Sequence, residues 1–231
     1  MPLRKFSQLV SVLLVEKITV DIWSDIVCPW RHLGKRRFDL ALAGFERADD
    51  VDVRLRAFEL DPHGRPDDPR TTPERMRDDL GMTPQQAAAG LRRITAMAAD
   101  AGLDYHLDRA RPVNSFDAHR LVQYAASAGV GDRVQDRLLR AFTSEGVNIA
   151  DRGELVRLAA EAGLDADAAA RMLAGDAHAD DVRADEELGR RVGVSGVPTF
   201  LVGGRFLLAG AQPVEVFADA LRRAGEQDAT P

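Results

Sequence analysis

Ser24-Asp25-Ile26-Val27-Cys28-Pro29-Trp30-Arg31-His32-Leu33-Gly34 lies between an apolar run at 18–23, Ile-Thr-Val-Asp-Ile-Trp, and a helical pattern over 33–45. The run reads as a strand, so the chain's only cysteine stands at a strand-to-helix junction with Pro29 beside it. Proline suits a first helical position because its missing N–H has no intrahelical partner there. The Cys28 sulfur is therefore expected over the first turn of a helix, where free N–H groups and the helix dipole favour a thiolate. With basic residues following at Lys35, Arg36 and Arg37, the segment predicts an accessible thiol titrating below the ordinary cysteine value of about 8.5. The competing reading is an inert, buried small residue, the commoner fate of a lone cysteine.

Outward from this segment, 231 residues allow one domain with a large insertion, or two small domains. A hydrophobic content of 45% is ordinary for a globular chain. With 31 Lys+Arg against 37 Asp+Glu the formal charge is −6, which argues against a nucleic-acid or anionic-membrane surface. One cysteine excludes an intramolecular disulfide and a cysteine-based zinc cluster. At the N-terminus, Arg4 and Lys5 precede the apolar run Leu9-Val10-Ser11-Val12-Leu13-Leu14-Val15. That resembles the start of a signal peptide, but the run is short and no small-residue cleavage site follows. Residues 1–17 are read as a loose extension, or as the product of a translation start placed too early. No stretch is long and apolar enough to span a membrane.

Residues 51–58 alternate apolar and charged side chains, the period of a half-buried strand. Four prolines between 61 and 73 exclude regular structure there. Beyond them the pattern is helical only. Helices are predicted over 73–80, over 84–101 with Thr83 as N-cap, from Asn114 or Ser115 to 126, and over 132–142, 151–162 and 166–173. A helix over 179–192 follows, then a strand over 197–202, the turn Gly203-Gly204, a partner strand over 205–209 and a last helix over 213–224. The order β-α-β, helical block, α-β-β-α supports an α/β sheet covered by helices.

Four blocks add a resemblance. They are the cysteine segment continued by Lys35, Arg36 and Arg37; Val113-Asn114-Ser115-Phe116-Asp117-Ala118-His119-Arg120; the run from Phe142 to Asp151; and Gly193 to Phe200 with Gly210-Ala211-Gln212-Pro213. Together they resemble the DsbA family, most closely its FrnE-like branch, whose members read Ser-Asp-x-x-Cys-Pro-Trp-Cys before Gly-Lys-Arg-Arg. The likeness runs from about 18 to 221. It implies a thioredoxin-like fold carrying an inserted all-helical domain. The division is then 1–17 extension, 18–62 first part of the thioredoxin-like domain, 63–178 helical insertion, 179–225 second part and 226–231 tail.

This chain departs from the family at Arg31, which replaces the second cysteine. Thiol–disulfide exchange through a closed Cys-x-x-Cys pair is therefore impossible within one molecule. The resemblance implies that Cys28 and Pro198 form the catalytic centre, with the Val197–Pro198 bond cis and facing the sulfur. It leaves the Val197 backbone free to pair with a peptide or thiol, although without the family Pro198 reads as the first residue of a strand. Trp30, Pro29 and Asn114 are candidate substrate contacts, Trp30 with a buried-core reading of equal weight. Ser24, Arg31, His32 and Thr199 are supporting candidates. Arg31 lies one turn along the helix from Cys28 and either stabilises the thiolate, binds a carboxylate or faces solvent with Lys35. His32 is placed for proton transfer without a fixed family role. Asp25 falls near the thiol, and Ser115 and His119 join the insertion to the cleft, His119 as a packing residue.

The function expected is that of a single-thiol oxidoreductase or disulfide isomerase. Relatives such as kappa-class glutathione transferases and hydroxychromene-carboxylate isomerases, with serine at this position, imply an alternative: an isomerase or transferase using glutathione or a similar low-molecular-weight thiol. A redox-inactive peptide-binding or chaperone-like module is the non-enzymatic alternative. No tightly bound cofactor and no metal are expected. The expected partners are protein or small-molecule thiols and disulfides, the chain is a monomer or homodimer, and its compartment is the cytoplasm.

Overall fold

Ile18, Val20 and Ile22 alternate with polar residues and point to one side of strand β1 (Ile18–Ser24), whose last three residues are all buried. The computed structural model describes residues 17–227, so the expected extension, apart from Lys17, and residues 228–231 of the tail lie outside it. β1 is followed by α1 (Pro29–Ala43) and β2 (Val51–Ala57), then by six helices: α2 (Thr72–Asp78), α3 (Pro84–Asp100), α4 (Phe116–Ser127), α5 (Gly131–Arg140), α6 (Arg152–Glu161) and α7 (Ala166–Ala174). The chain returns through α8 (Ala179–Val192), β3 (Thr199–Val202), β4 (Phe206–Ala209) and α9 (Val214–Gln227). The four strands form a sheet in the order β2-β1-β3-β4. β1 and β2 are parallel, with Ile18 opposite Val51 and Ser24 opposite Ala57. β3 is antiparallel to β1 and to β4. The architecture is the expected α/β thioredoxin-like sheet with an inserted block of helices.

Two apolar cores support it. One joins β1, β3, α1 and α9, with Phe38, Phe200 and Phe217 packed ring to ring at 4.6–5.8 Å between centroids. Tilted and edge-on contacts at this spacing suit the aromatic quadrupole. The other fills the helical block, and Ile26 and Val27 plug into it from the loop before Cys28. The cysteine segment is thereby fixed by both cores, β1 anchoring it on one side and the helical block on the other.

Close approaches explain two glycines. A Cβ on Gly189 would lie 2.8 Å from Nε1 of Trp23, which donates to the Asp185 carbonyl at 2.8 Å, so α8 packs directly on β1. A Cβ on Gly34 would lie 3.0 Å from the Pro198 ring, so α1 can rest against the loop before β3. Local boundaries shift for chemical reasons. Thr83 caps α3 as expected, its hydroxyl accepting from the Gln86 N–H at 3.2 Å. The strand expected over 197–202 begins only at Thr199, because Val197–Pro198 is a cis peptide outside the ladder. Among the described residues no helix is long and apolar enough to cross a membrane.

Candidate functional site

Cys28 is the N-cap residue of α1, with extended φ/ψ of −96° and 110°, and Pro29 opens the helix. The backbone N–H groups of Trp30 and Arg31 face the sulfur and favour its charged form. Across the cleft, the cis Val197–Pro198 loop brings the Val197 carbonyl to 3.5 Å, where it accepts from the thiol. That loop is held by Thr199, whose hydroxyl donates to the Gly196 carbonyl at 2.6 Å, and by the Gly210 N–H, which donates to the Pro198 carbonyl at 2.7 Å. Arg37 ties α1 to the same region, donating to the Ala211 carbonyl at 2.7 Å. The sheet thus brings Cys28, Pro29, Val197, Pro198 and Thr199 together, although 169 residues separate Cys28 from Val197.

The thiol is not the exposed, acidic group expected from its position. Cys28 is only 3% exposed, and its pKa is pushed up to about 12. Burial is the main cause, because removing water penalises the charged form. The Asp25 carboxylate adds to it, and these two effects outweigh the helix N–H groups and Arg31. The following basic residues are spent elsewhere: Lys35 pairs with Asp39 at 2.7 Å and Arg37 serves the loop contact.

Asp25 is the floor of the site. It is fully buried, accepting from the Val27 N–H at 3.2 Å and from the Leu60 N–H at 2.6 Å. Nε2 of His119, on α4, lies 3.4 Å from the same oxygen that accepts from Val27, without the alignment of a hydrogen bond. Burial alone would raise the Asp25 carboxyl; His119, the Leu60 N–H and the Ser115 side chain overcome it and hold the group below the ordinary carboxylate range. Ser115 precedes α4 without capping it by its side chain. His119 therefore does more than pack, since it joins the helical block electrostatically to the turn that carries the thiol.

Arg31 occupies the place of the absent second cysteine. Its side chain is buried, not solvent-facing, and Nε donates to the Ser24 hydroxyl at 2.6 Å. Burial brings its pKa down to about 10, against the opposing charges of Asp136, Cys28, Asp25 and Asp132. Trp30 is half-buried beside the cysteine. His32 is half-buried as well, and burial lowers its pKa; its Nδ1 has no hydrogen-bond partner among the described residues. Asn114 is committed to another cluster: its amide donates to Glu59 at 3.0 Å and its carbonyl accepts from the Phe116 N–H. Glu59 also meets Arg183, which pairs with Glu186 on the same helix. Tyr105, absent from the sequence-based candidates, reaches the site from the irregular segment between α3 and α4 and donates to the Pro29 carbonyl at 2.7 Å. A lone tyrosine in a stretch without periodicity carries no local signal of this kind. No group of three or more His, Cys, Asp or Glu side chains suited to a metal occurs among the described residues.

Comparison with known proteins follows the same lines. A family model described as a DSBA-like thioredoxin domain matches residues 19–222. The chain is 40% identical to the probable DsbA oxidoreductase SCO1869 from Streptomyces coelicolor, with a TM-score of 0.87 over 93% of this chain and 92% of that one. It is 28% identical to the uncharacterized protein YwbO of Bacillus subtilis (strain 168) over 88% of this chain and 96% of the relative. The cytosolic disulfide reductase DsbM from Pseudomonas aeruginosa with GSH shares the fold at 20% identity, with a TM-score of 0.58 over 90% of this chain and 96% of that one.

Proposed function

The chain belongs to the DSBA-like thioredoxin domain family, and from that premise we propose that it exchanges thiols and disulfides through the single thiol Cys28. The observation that carries the reading is the pairing of Cys28, at the α1 N-terminus, with the carbonyl of Val197 beside cis-Pro198, while Arg31 takes the place of a second sulfur. The Cys28 proton passes to solvent. The thiolate attacks one sulfur of a substrate disulfide, forming a mixed disulfide and releasing the other sulfur as a thiolate. An external thiolate then attacks the mixed disulfide. This attack regenerates the Cys28 thiolate and leaves the external thiol joined to the substrate sulfur. No electron is needed beyond those exchanged between the sulfurs.

The external thiol is of the glutathione class, a low-molecular-weight thiol not held tightly at rest. Support comes from the fold shared with a disulfide reductase solved with GSH. A compartment rich in such thiols, the cytoplasm, suits a site that cannot resolve its own mixed disulfide. Val197, with its backbone at the sulfur, and Trp30, half-buried at the start of α1, form the proposed substrate surface, together with Pro29. Asn114 contributes by holding Glu59 at the edge of the insertion rather than by direct contact.

Insulin reduction, followed with and without glutathione, tests the reading. The expected result is turnover that rises with glutathione concentration and vanishes in Cys28→Ser. Turnover that survives Cys28→Ser, or no turnover of protein or small disulfides by the unaltered chain between pH 7 and 9, sinks it. The high thiol pKa favours a second reading, in which the cleft activates the thiol of a bound cofactor for isomerisation or transfer. Activity of Cys28→Ser on such a substrate, with the cofactor thiol present, would select that reading.

A further inference from the structure

A thiol that is 3% exposed cannot reach another sulfur, so the resting arrangement must open before exchange. We infer that Tyr105 is the latch that holds it closed, and that release of its hydrogen bond to Pro29 is what uncovers Cys28. The inference rests on the exchange reading only for the purpose of opening; the latch itself is a statement about access to the sulfur.

The two sides of Cys28 differ in how firmly they are built. On one side stands the Val197–Pro198 loop, continuous with β3, where Thr199 pairs with Trp23 of β1 and the Pro198 carbonyl is bonded to Gly210. Moving it means breaking the sheet. At Pro29 the contact is with Tyr105, in a segment without helix or strand, whose hydroxyl makes one hydrogen bond among the described residues, to the Pro29 carbonyl at 2.7 Å. Pro29 immediately follows the cysteine, so this bond ties the first residue of α1 to the helical insertion. The phenol is buried, and its pKa is raised, first by that burial and then by the charge that Cys28 would carry, which places the ring within electrostatic reach of the sulfur.

Two further features favour release on this side. Tyr105 and His32 line one cavity of about 860 Å³, so the ring has room to leave Pro29. The His32 ring lies 6.3 Å from that of Tyr105, and its buried Nδ1 is without a hydrogen-bond partner among the described residues. Release of the ring uncovers that nitrogen as well, where solvent can pair with it. Opening also rehydrates the sulfur, removing the main cause of its high pKa, so access and acidity change together. Tyr105 touches no reacting atom in this scheme; it is a positioning residue acting through Cys28.

Alkylation by iodoacetamide reads the latch directly, because Cys28 is the only cysteine. In Tyr105→Phe the ring remains and only the hydroxyl is lost. The expected result is a second-order alkylation rate raised roughly three- to ten-fold at a fixed pH, the population shift one net hydrogen bond commands, with a thermal midpoint lowered by no more than about 2–4 °C, the cost of that same bond. Tyr124→Phe, the other tyrosine, should leave the rate as it is. A Tyr105→Phe rate at or below that of the unaltered chain overturns the latch. Should the variant fail to fold, alkylation of the unaltered protein in sub-denaturing urea decides the matter. A urea dependence much shallower than that of global unfolding supports local release, and the full unfolding slope overturns it. Faster alkylation of Tyr105→Phe in a chain that turns over no disulfide would leave the latch standing and the exchange reading lost.

Discussion

Around Phe38, Phe200 and Phe217 the sheet half of the molecule buries aromatic and aliphatic side chains against one another, whereas around Cys28 the chain buries Asp25, Arg31 and His119. The first region gains from removing apolar surface from water, and any well-packed set of similar volume would serve it. The second region gains in that way only through Ile26 and Val27, which plug into the helical block. Its charges are tolerable because each has a partner: backbone N–H groups and His119 for Asp25, and the Ser24 hydroxyl for Arg31. The difference separates what holds the protein together from what sets the acidity of its thiol.

Breaking the apolar region should cost the most. Phe200→Ala removes a fully buried ring touching both Phe38 and Phe217, and is expected to lower stability by about 3–5 kcal/mol. Urea unfolding measures it, and a loss below about 1 kcal/mol would show that the aromatic cluster is not the keystone of this half.

Asp25→Asn sharpens the contrast on the charged side. The substitution keeps the shape but weakens the acceptors of Val27 and Leu60, so a stability loss of roughly 1–3 kcal/mol is expected at pH 7. It also removes the carboxylate that pushes the Cys28 thiol up, so the alkylation midpoint should fall below that of the unaltered protein. Because the folded Asp25 pKa is lowered, its contribution is complete above the unfolded value of about 3.9 and is lost as pH falls through the depressed folded value. The acid limb of the stability curve should therefore flatten in Asp25→Asn. An unmoved thiol midpoint would break the link between floor and sulfur.

The pH profile of the unaltered chain tests the same link from the thiol. With a pKa near 12, alkylation of the folded protein should climb about tenfold per unit from pH 7 to 10, without a plateau near 8.5. In stability the sign is opposite to that of Asp25. A thiol raised in the folded state stabilises fully below its unfolded value of about 8.5, and that contribution fades as pH rises toward 12. A plateau below pH 8 would mean that the sulfur spends its time outside the buried arrangement.

Arg31→Cys is the variant whose effect is read in chemistry rather than in stability. It frees the Ser24 hydroxyl and places a second sulfur one turn along α1 from Cys28. Thiol counting after mild oxidation should find a reversible intramolecular disulfide, accompanied by dithiol-type oxidase activity. Oxidation only between molecules would show that the backbone here has adapted to arginine and no longer fits a resolving cysteine.

Much of the scaffold could be read from local pattern. The alternation in β1 and β2, the Thr83-Pro84 start of α3 and the Gly203-Gly204 turn are written in neighbouring residues, and the structure follows them closely. The place of Cys28 at a helix N-terminus was legible for the same reason, because Pro29 marks the start of α1. The cis bond before Pro198 was legible only through the family resemblance. Read locally, Val-Pro-Thr-Phe is the start of a strand.

The acidity of the thiol was not legible at all. Sequence placed a cysteine among N–H groups and basic residues, which argues for a thiolate. The fold then buried the sulfur, turned Lys35 and Arg37 to other partners, and set Asp25 beneath it with a ligand shell drawn from Leu60 and His119. Tyr105, 76 residues along the chain from Pro29, donates to the Pro29 carbonyl beside it. Turns, caps and strand periods depend on residues adjacent along the chain, so the sequence by itself determined them. Desolvation and charge interactions depend on distances through space, which only the packing of the helical block against the sheet decided.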